Sequence, residues 1–391
     1  MRHNILLAAL FAVLVPASLT AQKYDFKDKI RLKTTGVEDQ NVSGTCWCFS
    51  FTSFIETEMI RKGLSPINLS EMYIVRNCYV EKADRYVRDE GKSYFTDGGL
   101  FHDVAWAASE FGLMPQNDYK GIEYAANGHD HTELQSVLSD FLKSICKQKT
   151  VSSVWRNAYA GILDAYLGKV PEKFMCNGKT YTPKSFMSQV VQFEPSDYVS
   201  ITSFTHHPFY SQFILEVPDN WMHGAYYNVP VDELESIVDN ALTKGYSVIW
   251  GADVSEPGFS LSGGVMVVPE TDLGKVTAEE AAALSYVDTD DEDEMNVYVA
   301  TKPVTEKSIT QQMRQAAFDS HETTDDHSML IVGTATDSKG GDYYLVKNSW
   351  GEIGPYKGYQ YASKNYFRYK TLDIMVHKDA IPQAIRQKLK L

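Results

Sequence analysis

The sequence predicts an α+β fold, on three observations. Apolar residues recur at helical spacing through the N-terminal third, two short apolar runs around a turn-rich segment near the C-terminus read as a strand hairpin, and helical and strand patterns alternate between them. The 391 residues are enough for two lobes or for one domain with a large insertion, and each with a sizeable core.

Taken in order, the chain opens with Arg2 and His3, an apolar run from Ile5 to Val15, Pro16 and small residues through Ala21. This pattern is that of a secretory signal peptide over 1–21, cut near Ala21, because the apolar core is too short to span a membrane. A secreted or periplasmic location is expected for residues 22–391. No later stretch is long and apolar enough for a membrane helix. Gln40 to Ser50 then reads as a loop that turns into a helix, capped by Thr45, with Trp47, Phe51, Phe54, Ile55 and Met59 on its apolar positions and Gly63 ending it. Leu69-Ser70-Glu71 starts a second helix, with Ser70 as its cap. Asp97-Gly98-Gly99 breaks the chain, and Phe101 to Phe111 resumes helical spacing; two adjacent glycines let the backbone approach something closely.

Beyond Asn117, Thr132 to Lys147, capped by Thr132, and Ser152 to Gly168 read as helices. Tyr198 to Phe204, Phe213 to Val217 and Tyr246 to Asp253 read as strands, with a helix over Val231 to Lys244 before the last. The acidic run Asp288 to Glu294 lacks the glycine and terminal glutamate spacing of a calcium loop and is expected to be a solvated loop. His206-His207 and the pair His129 and His131 lack zinc-site spacing and are expected to be surface or loop histidines. No metal or cofactor is expected. Met329 to Gly333 and Tyr343 to Lys347 form the hairpin, joined by Asp337 to Asp342.

Charge narrows the class of partner. A formal net charge of −14 argues against nucleic acid and anionic membranes, which need a basic face. The five cysteines, an odd number, leave at least one free thiol in an exported chain. Cys48, Cys78, Cys146 and Cys176 have enough members for two bridges but not the spacing of a dense disulfide scaffold.

Chemistry enters through three separated stretches. Cys46 falls on the first helical turn, where unpaired N–H groups and the helix dipole favour a thiolate. Asp326-His327 precedes one strand of the hairpin and Asn348-Ser349-Trp350-Gly351 follows the other, so the hairpin brings His327 and Asn348 side by side. A cysteine nucleophile needs a base that takes its proton and a third group that orients the imidazole. His327 and Asn348 suit those tasks, and Trp350 can shield their bond from water. Gln40, six positions before Cys46, can place its amide beside the thiol and join the Cys46 N–H in holding an oxyanion.

This set resembles the papain superfamily of cysteine peptidases, and within it the bleomycin hydrolase or aminopeptidase C branch. Gln40, Ser43-Gly44-Thr45-Cys46-Trp47, Leu69-Ser70-Glu71, Gly98-Gly99, Asp326-His327 and Asn348-Ser349-Trp350-Gly351 occur in the family's order. The resemblance implies a two-lobed papain-like fold with a helical lobe carrying Cys46 (roughly 40–120), a large insertion (roughly 120–320) and a β-rich lobe carrying His327 and Asn348 (roughly 320–391). It implies nucleophile, base, orienting residue and oxyanion donor at Cys46, His327, Asn348 and Gln40, and substrate-binding backbone at Gly98 and Gly99. Spacing selects the branch, since 281 residues separate Cys46 from His327 where many papain-like enzymes have roughly 130 to 150.

Three departures qualify the match. Ser43 replaces the cysteine that many secreted relatives bridge, leaving Cys78 without that partner. The branch is mostly intracellular, whereas an export signal is expected here; the little chain expected before Cys46 for an inhibitory propeptide, by contrast, fits the branch. After Ile381-Pro382 only a short tail remains, expected to be too short to block the cleft as the branch's C-terminal arm does, which leaves its aminopeptidase specificity and hexameric cage open. The expected function is a cysteine peptidase of the bleomycin hydrolase type acting on peptides as an aminopeptidase. An endopeptidase with an open cleft and a catalytically silent peptide-binding protein are the other readings.

Overall fold

Trp47, Phe51, Phe54, Ile55 and Met59 build helix α1, Cys46–Arg61, and each is exposed by 1% or less. The computed structural model describes residues 24–124, 128–256, 258–270, 286–287, 297–298 and 303–391. The expected signal segment 1–21 and the acidic run Asp288 to Glu294 lie outside the described residues. Helix α1 is buried nearly all round, because α2 (Glu71–Arg88) and α3 (Phe101–Phe111) pack on one side of it and a β-sheet on the other. Its polar residues are therefore buried too, and each finds a partner. Thr52 donates to Glu71 Oε1 at 2.8 Å, Glu56 accepts from the Leu69 N–H at 2.9 Å, and Glu58 takes two bonds from Arg61 at 2.8 and 2.7 Å. Such pairing removes the cost of burying polar atoms.

Two caps differ from expectation. Ser70 does cap α2, accepting from the Tyr73 N–H at 3.1 Å. Thr45 occupies the cap position of α1 but makes no side-chain cap bond, because its hydroxyl pairs with Ser43 Oγ at 2.7 Å. Thr132 is the first residue of α4 (Thr132–Cys146), with His131 at the cap position. Helix α5 (Val154–Leu167) completes this side of the molecule.

The sheet draws on much more of the chain than the C-terminal hairpin. Among the described residues its strands are β1 (Lys27–Arg31), β2 (Tyr198–Thr202), β3 (Gln212–Ile214), β4 (Ala225–Asn228), β5 (Val248–Ala252), β6 (Phe259–Ser260), β7 (Val265–Met266), β8 (His327–Thr336), β9 (Asp342–Lys347), β10 (Tyr359–Ser363) and β11 (Thr371–His377). Their spatial order is β3-β4-β2-β11-β5-β8-β9-β10-β7-β6, and β1 pairs with the far half of β8. Pairing is antiparallel except for β2 with β4 and β7 with β10. Strands β2 to β7 come from the stretch expected as an insertion at 120–320, and β5 lies at the centre, between β11 and β8. The sheet thus draws strands from Lys27–Arg31 and from Tyr198 onward, and not from 320–391 alone. Buried on both faces, β5 is apolar throughout (Val248-Ile249-Trp250-Gly251-Ala252), a pattern that marks a central strand without naming its neighbours.

Side chains alternate across the sheet and split the core into two layers. Ile249, Leu330, Val332, Leu345 and Met375 face α1 and the helices around it. Trp250, Met329, Ile331, Val346 and Ile374 face the opposite layer, built by α6 (Val231–Thr243), α8 (Lys364–Lys370) and α9 (Gln383–Leu389), with α7 (Gln311–Asp319) packed on α8. Both layers form without disulfides, since all five cysteines are free thiols. His129 and His131 lie on a loop, as expected, that packs on Phe49 and Tyr79 and buries both rings; burial pushes His129 down to about 4. His206 and His207 do lie on a partly exposed loop and share the Glu216 carboxylate at 3.0 and 2.8 Å. No helix among the described residues is long and apolar enough to cross a membrane.

Phe54 seats α1 on the sheet, its ring edge-on to Tyr198 of β2 at 5.2 Å between centroids. Phe54→Ala is expected to destabilise the protein by about 3–5 kcal/mol, read as a lower urea midpoint at unchanged slope. A loss under about 1 kcal/mol would mean that this contact does not hold the lobes together.

Candidate active site

The cleft runs between the start of α1 and the start of β8, and its walls hold Gln40, Cys46, Gly98, Gly99, His327 and Trp350. Its volume is about 460 Å³. Cys46 is the first residue of α1 and is partly exposed on the cleft floor. His327 is the first residue of β8 rather than the residue before it, and Asn348 follows β9 directly. The antiparallel register places them together: His327 Nε2 lies 2.7 Å from Asn348 Oδ1.

The orientation of this pair is fixed by its neighbours. Asn348 Nδ2 donates to Gln360 Oε1 at 3.1 Å, and its Oδ1 also accepts from the Ser349 N–H at 2.8 Å. The amide oxygen therefore faces the imidazole, so Nε2 carries the ring proton and Nδ1 keeps its lone pair. The Trp350 ring stacks on His327 at 4.5 Å between centroids and 29° between planes, covering the bond as the sequence suggested. Phe259 of β6 backs Trp350 edge-on at 5.8 Å.

Gln40 connects the two halves. Its Nε2 donates to Ser43 O at 2.7 Å, its Oε1 accepts from Ser349 Oγ at 2.7 Å, and its backbone N–H donates to Ser349 O at 2.8 Å. Ser43 Oγ in turn donates to Gln40 O at 2.8 Å. These bonds tie the loop before Cys46 to the segment after Asn348. They leave the amide nitrogen with a second hydrogen free to donate, and Gln40 lines the cleft together with Cys46.

The glycine wall is anchored by residues that sequence reasoning missed. Asp97 Oδ2 accepts from the Gly44 N–H at 2.6 Å and its backbone oxygen accepts from Trp47 Nε1 at 3.0 Å. Buried Lys82 donates to Thr96 O at 3.0 Å and to Gly98 O. Gly98 also gives its N–H to Thr96 Oγ1 at 3.3 Å, so of the glycine pair Gly98 already has internal partners for both backbone groups. Asp219 and Asp325 stand in the same cleft. Adjacency to Asp97-Gly98 and to Asp326-His327 was the available signal for Asp97 and Asp325; Asp219 carries none.

Burial sets the resting charge state. It pushes the Cys46 thiol up to about 12, helped by the charges of Asp325 and Asp219 and opposed by backbone N–H groups of Ser328 and Trp47. It pushes His327 down to about 4, against the raising effects of the Asn348 bond and of Asp326. Both shifts favour the neutral forms, with the proton on sulfur and an acceptor facing the same cleft. This arrangement suits a nucleophile deprotonated in concert with attack. The remaining histidine pair does different work: Gln315 Nε2 donates to His206 Nδ1 at 3.0 Å, which leaves the His206 proton on Nε2 and directed at Glu216.

Residues 20–212 match the papain family of cysteine proteases, and residues 169–273 and 288–391 match the peptidase C1-like family. Aminopeptidase G of Lactobacillus delbrueckii subsp. lactis is 23% identical over 401 residues, which covers 89% of this chain and 82% of that protein. Aminopeptidase C of Streptococcus thermophilus is 23% identical over 399 residues, 91% of this chain and 83% of that one. The crystal structure of PepW from Lactobacillus rhamnosis HN001 superposes with a TM-score of 0.69 at 19% identity, over 93% of this chain and 84% of that chain. That likeness confirms the papain-like α+β fold.

Asn348 holds the imidazole without touching the thiol, so Asn348→Ala is expected to lower kcat by on the order of 10²-fold. The neutral imidazole persists down to its depressed value, so kcat/KM should stay level to about pH 5 and fall through about pH 4. Asn348 raises the His327 pKa, so its loss should leave that acid limb in place or move it lower. An upward move would contradict the orientation assigned to the pair.

Proposed function

Since the chain belongs to the papain-like C1 family of cysteine peptidases, we propose that it removes N-terminal residues from peptides as an aminopeptidase. Cys46 is the nucleophile in this reading. The observation that carries the chemistry is the 2.7 Å bond between His327 Nε2 and Asn348 Oδ1, which aims a free Nδ1 into the cleft that holds Cys46. Support for the aminopeptidase outcome comes from the aminopeptidases G and C, which align over about nine-tenths of the chain.

The reaction follows from the groups in place. Sγ of Cys46 attacks the scissile carbonyl carbon as its proton passes to His327 Nδ1. The carbonyl oxygen becomes an oxyanion held by the Cys46 N–H and the second hydrogen of Gln40 Nε2. The tetrahedral species collapses, the C–N bond breaks, and Nδ1 returns its proton to the leaving amine. Water then enters, gives a proton to Nδ1 and attacks the thioester; the acid departs and the proton returns to sulfur. Gly99 offers backbone groups to the extended substrate beside the anchored Gly98. The signal pattern in residues 1–21 supports action outside the cytoplasm.

Cys46→Ala should abolish turnover and labelling by iodoacetamide at this site while leaving the far-UV circular dichroism unchanged; retained peptidase activity would remove Cys46 from the mechanism. Free-amine amino-acid amides of a fluorogenic leaving group should be cleaved at least on the order of 10²-fold faster than their N-acetyl counterparts. Equal rates on both would favour an endopeptidase with an open cleft.

A further inference from the structure

Loop 215–224, between β3 and β4, belongs to the long segment to which the sequence assigned no task, and it reaches the cleft. It is fixed on both sides of Asp219. The Asn220 side chain donates to Leu215 O at 2.8 Å and to Gly224 O at 3.0 Å and accepts from the Gly224 N–H at 2.7 Å. Trp221 Nε1 donates to the buried Asp103 Oδ2 at 2.6 Å. Asp219 is thereby pressed onto the glycine wall: a Cβ added to Gly98 would fall 2.0 Å from Asp219 Oδ2, and Thr96 Oγ1 donates to Asp219 Oδ1 at 3.3 Å. Only glycine at position 98 leaves room for that carboxylate.

Asp325, two residues before His327, also lines this part of the cleft. Asp219, Asp325 and Tyr94 are shared between the cleft that holds Cys46 and a second cavity of about 580 Å³. The two carboxylates therefore mark the junction at one end of the reacting site. Lys82 offsets the charge of Asp219. Asp325 is different. Its Oδ2 is buried with no hydrogen-bond partner, and burial first, then the nearby carboxylates of Asp219, Asp373, Asp326 and Asp103, push its carboxyl well above the usual carboxylate range. A buried carboxylate oxygen without a donor is unfavourable unless something supplies both N–H groups and positive charge.

Resting on the aminopeptidase reading and extending it, we propose that Asp325 and Asp219 together bind the α-ammonium of the substrate's N-terminal residue. The ammonium has three N–H donors and a unit charge, which answers what Asp325 lacks. With the ammonium there, the first peptide carbonyl comes to Cys46 and the chain leaves in the other direction. An acylated N-terminus replaces the ammonium with a neutral amide carrying one N–H and drives its acyl group against Asp219 on the Gly98 wall. Asp219 and Asp325 thus determine that cleavage occurs one residue from a free amine.

The test compares wild type, Asp325→Asn and Asp219→Asn on leucine and Nα-acetyl-leucine amides of a fluorogenic amine. Each Asn variant is expected to raise KM for the free-amine substrate by on the order of 10- to 100-fold, with a much smaller change in kcat. Wild type that ignores N-acetylation would overturn the aminopeptidase reading. Wild type that demands a free amine, with KM unmoved in both variants, would overturn this proposal alone. Turnover of an Nα-acetyl-lysine amide at the free-amine rate would also overturn it, by placing a side-chain ammonium at the pair. Wild type gives a readout that needs no variant: leucinamide should protect Cys46 from iodoacetamide at least tenfold better than 4-methylpentanamide, which lacks only the amine. Equal protection by the two would refute the anchor even if neither variant folds.

Discussion

Burial of α1 between the helices of the first lobe and strand β8 is the constraint on which the rest of the structure depends. It brings the first residue of a helix, Cys46, to the first residue of a strand, His327, although 281 residues separate them in the chain. A helix dipole and a strand end have no attraction strong enough to do this. Apolar packing of Phe51, Phe54 and Ile55 against other buried side chains does it, and the cleft is what remains open at the edge of that contact. Because both lobes are densely packed around α1, the position of the thiol cannot drift relative to the imidazole without opening the core.

Polar bonds refine what packing brings together. Gln40 clamps the loop before Cys46 to Ser349, Asp97 holds Gly44 and Trp47, and Gln360 turns the Asn348 amide so that its oxygen faces His327. Each such side chain fixes a neighbour's direction, and the chemistry then requires no rearrangement of the protein when charge develops. The same economy explains why burial, which depresses His327 and raises Cys46, is compatible with a thiol nucleophile. The two groups face one cleft, and in the proposed reaction the proton moves between them as a carbonyl receives the sulfur.

The long segment between the two catalytic halves has two tasks that local pattern concealed. Part of it supplies the sheet with β5, the central strand on which β8 and β11 both pair. Another part carries the rigid loop that sets Asp219 on Gly98. Strand propensity at Tyr246 to Asp253 was visible in the sequence, but nothing in a single apolar run states which strands lie beside it. Asp219, flanked by Pro218 and Asn220 in a loop, looks like any solvated acid until the fold brings it to the cleft. His129 and His131 lie on a loop as expected, and their burial depends on what packs over that loop and not on the loop's own residues.

By itself the sequence determined the parts whose meaning is local or ordered. These are the helix start at Cys46, the Ser70 cap, the hairpin that pairs His327 with Asn348, the glycine pair, and the ordered motif set of a papain-like peptidase. Helix and strand periodicity, turn chemistry and the short reach of a hairpin settle such features within a few residues. Tertiary structure alone decided that Thr45 turns to Ser43 rather than capping α1, that Gln40 spans the two lobes, that the sheet takes strands from Tyr198 onward as well as Lys27–Arg31, and that Asp219 and Asp325 meet at one cleft. Those outcomes depend on long-range packing, where the partner of each group lies far away in the chain and is chosen by the shape and dryness of the space left for it.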